Sequence, residues 1–83
     1  MVTRRLRAAD KTFFRRLGDR VSRMILEEQG YQSLDAFALE HHDLISKPSL
    51  YAIAEGERDM KVSTLRGLAQ ALEISLERLI SGL

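Results

Sequence analysis

The stretch L-I-S-K-P-S-L-Y-A-I-A-E-G at residues 44–56 decides how this chain is read. Ser46 can accept a first-turn N–H through its side-chain oxygen, which makes it a natural helix N-cap. Pro48 then falls in the first turn, where a missing N–H costs little. Leu50 and Ile53 stand three residues apart and face inward, and Gly56 ends the helix. The prediction is a short helix of about ten residues. Just upstream, Ser33 opens a second short helix that presents Leu34, Phe37, Ala38 and His41 on one side. Residues 33–56 therefore read as two short helices joined by a tight turn.

Working outward, helical spacing dominates, strand-like alternation is absent, and proline occurs once. Helix 1 is expected from about Asp10 to Gln29, capped by Asp10 or Thr12 and ended by Gly30. Phe14, Leu17, Val21, Met24, Ile25 and Glu28 fall on one of its faces. Ser63 is expected to cap helix 4, which buries Leu65, Leu68, Ala69 and Leu72. Gly67 inside that helix costs about 1 kcal/mol relative to alanine, so it signals either close packing or nothing. Ser75 caps a last helix carrying Leu76, Leu79 and Ile80. The expected class is all-α with five helices, divided into a basic arm over residues 1–9 and one domain over residues 10–83.

At 83 residues the chain is long enough for one domain with a modest core. It has no cysteine, which excludes a disulfide scaffold and a thiolate metal site. No apolar run approaches a membrane span, and the arginine-rich start lacks the apolar stretch of a secretion signal. A transit peptide over residues 1–16 fits the arginines and phenylalanines but conflicts with helix 1 continuing through them. A cytoplasmic protein is the expectation. The net charge of +1 hides an asymmetry, with eight Lys/Arg against four Asp/Glu in residues 1–30 and five against eight in residues 31–83. Nucleic-acid binding needs a local basic face, not a basic total. Arg15, Arg16, Arg20 and Arg23 serve equally well as a solvated face of helix 1.

The order of signals resembles a known family. L-G-D-R-V-S-R-M at 17–24, F-A at 37–38, I-S-K-P-S-L-Y-A-I-A-E-G at 45–56 and S-T-L-R-G-L-A-Q-A-L-E-I-S-L-E-R-L-I at 63–80 are similar to the phage repressor/Cro type of helix-turn-helix domain. The resemblance covers roughly residues 17–80. It implies a compact five-helix lambda-repressor-like fold, here with an extended basic first helix, in which helices 2 and 3 form the DNA-reading unit at about residues 33–56.

Three departures stand out. The arginine late in helix 1 and the glutamate near the end of helix 3, which pair in such domains, are matched here by Ile25 and Ala54. Removing one partner of a buried pair strands a charge at a cost of roughly 3–5 kcal/mol, whereas replacing both with apolar groups is often neutral. Ile25 is therefore expected to pack near Ala54. The segment E-H-H-D-L makes the stretch between F-A and I-S-K about two residues longer than usual, so either helix 2 lengthens or the turn bulges. Leu34 replaces the glutamine that touches the DNA backbone in many relatives.

Carried over position by position, the resemblance implies base contacts from Lys47, Pro48, Ser49 and Ala52. Lysine can donate to guanine, serine to almost any base, and Pro48 or Ala52 can only make apolar contact, so direct readout is thin and DNA shape must supplement it. Phosphate contacts are expected from Tyr51, Arg58, Lys61, Ser63, Thr64 and Ser33. Ordinary helix-start chemistry explains Pro48, Ser49 and Ala52 nearly as well, and Tyr51 also reads as a half-buried edge residue. Arg4, Arg5 and Arg7 are candidates for a minor-groove arm, or for a plain tail.

One such module reads only a few base pairs, so a homodimer on double-stranded DNA is expected. Leu76, Leu79, Ile80 and Leu83 are candidates for the dimer interface. Phe13 and Phe14 compete with them, and closure of the monomer core explains both sets as well. His41-His42-Asp43 invites a metal reading, but adjacent helical residues point in different directions and cannot converge on one ion. No metal, cofactor or catalytic signature is expected, and an enzyme is rejected. The leading expectation is a sequence-specific transcriptional regulator, acting as a repressor or controller protein or by contacting RNA polymerase. The alternatives are an antitoxin that represses its own operon and binds a cognate toxin, and a protein-interaction module that has lost DNA binding.

Overall fold

Ser33, Ser46 and Ser75 each start a helix. In the computed structural model, which describes residues 8–57 and 61–83, the hydroxyl of each accepts the backbone N–H three residues on, from Ala36 (3.1 Å), Ser49 (3.3 Å) and Arg78 (3.0 Å). The helices are α1 (Ala8–Arg23), α2 (Leu34–Glu40), α3 (Lys47–Ala54), α4 (Val62–Leu72) and α5 (Leu76–Ile80). The described residues contain no strand, so the class is all-α. None of their helices is long and apolar enough to cross a membrane.

The fourth start differs from expectation. Helix α4 begins at Val62, and its N-cap is Lys61, which offers no side-chain hydrogen bond. Ser63 lies inside the first turn. The Lys61 carbonyl accepts from the N–H groups of Thr64 (3.0 Å) and Leu65 (3.1 Å), so backbone geometry alone starts the helix. Its far end closes at Glu73, held in the left-handed region at φ 61°. Ile74 donates back to the Ala69 carbonyl and packs against the core, which offsets the strain at Glu73.

Helix 1 also departs in two ways. It is already helical at Ala8, the first described residue, so Asp10 and Thr12 lie within it and neither caps it. At its other end the five residues Met24–Glu28 widen into a π-type turn. Gln29 N–H bonds the Met24 carbonyl at 2.9 Å, five residues back instead of four. Leu17, Val21 and Ile25 are fully buried as expected, whereas Glu28 is exposed. Gln29 is exposed as well, and its Nε2 donates to the Leu72 carbonyl at the end of α4 (3.2 Å).

The core gathers Leu17, Val21 and Ile25 of the first helix with Phe37, Ile45, Leu50, Ile53, Leu68, Leu72 and Leu79. Two glycines allow backbones to meet across it. A Cβ built on Gly18 would stand 2.6 Å from the Ala54 carbonyl oxygen and 2.7 Å from that of Ile53, so α3 crosses α1 there. Gly18 precedes Ile25 by seven residues, about 10 Å of helix. Ala54 therefore meets α1 at Gly18. A Cβ on Gly67 would stand 2.2 Å from the Leu44 carbonyl oxygen, which pins the α2–α3 connection onto α4. That connection holds the additional residues: α2 stops at Glu40, and residues 41–46 form a broad turn.

Candidate nucleic-acid interface

Serine at 46 and proline at 48 place the first turn of α3 at the surface. Ser46, Lys47 and Pro48 are exposed, and Ser49 and Ala52 are half-buried. Ser49 is partly committed: the Ser46 hydroxyl donates to its Oγ at 2.8 Å while accepting its N–H.

Lys47 and Tyr51 stand one helical turn apart, so they share a face of α3. Both turn to the same carboxylate on α2. Lys47 Nζ lies 3.2 Å from Asp35 Oδ2, and the Tyr51 hydroxyl donates to Asp35 Oδ1 at 2.5 Å. The Tyr51 bond, followed by the one from Lys47, holds the Asp35 carboxyl below its ordinary value. The same bond to Asp35 pushes the Tyr51 hydroxyl above the usual tyrosine value. A base-reading candidate and a phosphate-binding candidate are thus both engaged by an acid within the chain. Asp35 carried no sequence signal for this role. An acid in a first turn is ordinary dipole chemistry, and Lys47 and Tyr51 lie in another helix.

A second cluster shapes the turn. The Tyr31 hydroxyl donates to Glu40 Oε2 and lies 3.2 Å from His41 Nε2. The Phe37 ring packs on both, with centroids 5.1 Å from Tyr31 and 4.5 Å from His41. His41 caps the end of α2, and its carbonyl accepts from Leu44 (2.9 Å) and Ile45 (3.0 Å). The Glu40 bond raises the Tyr31 hydroxyl above its usual value, with burial adding to the effect.

The remaining candidates are dispersed. Ser33 is half-buried, and its oxygen is engaged in capping α2. Lys61 and Ser63 are exposed at the start of α4, and Thr64 is half-buried beside them. The Thr64 N–H is taken by the Lys61 carbonyl, so at the α4 start only the N–H groups of Val62 and Ser63 lack an intrahelical carbonyl. Arg58, and the arm candidates Arg4, Arg5 and Arg7, lie outside the described residues. Arg15, Arg16 and Arg23 are exposed along α1, whereas Arg20 leaves that face. Its Nη1 donates to the carbonyls of Leu79 (3.1 Å) and Ser81 (2.5 Å), closing the end of α5. Of the dimer candidates, Leu79 is fully buried in the chain's own core and cannot face a second copy. Leu76, Ile80 and Leu83 are partly buried against that core, as is Phe13.

No known protein family, curated protein or solved structure matches the chain.

Proposed function

We propose that the protein is a sequence-specific DNA-binding regulator of transcription with a lambda-repressor-like helix-turn-helix domain, α2 and α3 forming the reading unit. One observation carries the reading: the first turn of α3, opened by Ser46, stands at the surface with Lys47 and Pro48 exposed. A helix whose leading turn projects from a small helical body is what the major groove admits. Lys47 reads bases, Ser49 and Ala52 flank it, and Lys61, Ser63 and Thr64 at the start of α4 hold phosphate. The regulator works as a homodimer on half-sites about one helical turn, ~34 Å, apart. Leu76, Ile80 and Leu83 form the apolar strip left for the second copy. Occlusion of a promoter by the dimer gives repression.

Selection of bound sequences from random duplex DNA tests this. The wild type should enrich a two-fold related site, and Lys47→Ala and Ser49→Ala should change the preferred bases. An unchanged site in both variants removes α3 as the reader. A second reading, a protein-interaction module without DNA affinity, is favoured by Leu39, which is 75% exposed on α2, and by the neutralisation of Lys47. Absent, sequence-blind or salt-insensitive binding in gel-shift titration would select it.

A further inference from the structure

We infer that Asp35 is a specificity-determining residue of this interface: its carboxylate occupies, between Lys47 and Tyr51, the place a DNA phosphate would take, and so restrains both side chains from gripping duplexes regardless of sequence. The inference rests on the DNA-binding reading above and deepens it.

An ammonium and a phenolic hydroxyl on one helix face are a phosphate-binding pair, because both are donors directed at anionic oxygen. In the free protein each has found such an oxygen already. Tyr51 takes Oδ1 and Lys47 takes Oδ2 of a single carboxylate, much as they would take the two free oxygens of one phosphodiester. The side chains of Lys47 and Asp35 are 60% and 54% exposed, so a phosphate can approach them.

Asp35 is not needed to hold α2 on α3. An exposed ion pair contributes little to stability, and Phe37 of α2 is buried in one core with Leu50 and Ile53 of α3. Its effect on DNA is larger. A phosphate must either displace the carboxylate or sit beside a like charge, and both weaken the sequence-independent part of binding. Base edges in the major groove carry no net charge, and the Lys47 ammonium keeps further donors for them while paired. Asp35 therefore penalises indiscriminate binding more than base readout.

The test compares wild type with Asp35→Asn, which removes the charge and keeps an acceptor for Tyr51, and with Asp35→Ala. Dissociation constants of the full chain are measured for the selected duplex and a scrambled duplex of equal length across a salt series. Circular dichroism checks that each variant folds. One released lysine–phosphate contact adds about 0.9 to the salt slope, which is about eightfold in affinity at 0.1 M salt. Asp35→Asn should gain this on the scrambled duplex and gain less on the selected one, so the ratio between them falls. Adding Lys47→Ala to Asp35→Asn should return the slope to that of wild type. If wild type discriminates between duplexes and Asp35→Asn leaves slope and ratio unaltered, the inference is wrong and the DNA reading survives. If neither wild type nor any variant binds either duplex, the DNA reading itself has failed and takes the inference with it.

Discussion

Replacing Gly67 with alanine sets two effects of opposite sign against each other. Inside a helix, alanine is favoured over glycine by about 1 kcal/mol. Against that, the new methyl would stand 2.2 Å from the Leu44 carbonyl oxygen, well inside van der Waals contact. The obstacle is backbone, so no rotamer change relieves it. Leu44 must retreat by roughly 1 Å. Its own N–H is tied to His41, and the next residue, Ile45, is buried in the core. Overpacking of this kind costs about 1–3 kcal/mol, and a backbone clash belongs at the upper end. The net expectation is destabilisation by about 1–2 kcal/mol, which lowers Tm by about 4–8 °C per kcal/mol in a domain this size. Thermal and urea unfolding followed by circular dichroism measure it. Gln70→Ala, on the exposed side of the same helix, is the control and should change stability by less than about 0.5 kcal/mol. A Gly67→Ala protein as stable as wild type, or more so, would show that the α2–α3 turn does not rest on α4.

Two further outcomes follow from named contacts. Arg20→Met keeps the aliphatic stem and removes the donor that closes α5, so it should cost about 1 kcal/mol and speed amide exchange in α5 more than in α3; unchanged α5 exchange refutes the cap. In an ultraviolet titration both tyrosines should ionise above the ordinary tyrosine value, because Tyr51 donates to Asp35 and Tyr31 to Glu40. The stabilisation from these raised groups is complete below that ordinary value and is lost as pH rises through the folded values. The lowered Asp35 works in the other direction, its contribution present above the ordinary aspartate value and lost as pH falls through the folded one. Asp35→Ala, which removes the acceptor, should bring down the midpoint of one tyrosine only; titration of both at the free-tyrosine value in wild type would refute the bonds.

Much of the architecture was legible because its causes are local. A capping serine needs only the N–H three residues on, and Ser33, Ser46 and Ser75 perform as their neighbours indicate. Ser63 has the same residue type, but Thr64 and Leu65 donate to the Lys61 carbonyl, and the helix begins one step before the serine. The four-residue spacing of Leu17, Val21 and Ile25 located the core face of α1, yet nothing in that spacing announced a π-type turn. Glu28, which that spacing places on the apolar face, is exposed. For the candidate interface, exposure of the α3 start was legible, while the partner of Lys47 and Tyr51 was not.

Residue order alone determined which segments are helical, where most of them begin, and which side chains seek the interior, since each depends on atoms within a turn or two along the chain. Tertiary structure alone decided that Asp35 holds Lys47 and Tyr51, that Arg20 closes a helix some sixty residues away, and that Gly18 and Gly67 admit carbonyls from other elements. Those pairings depend on the angle and distance at which helices cross. Many crossings satisfy the same apolar spacing, and only the packed core selects one of them.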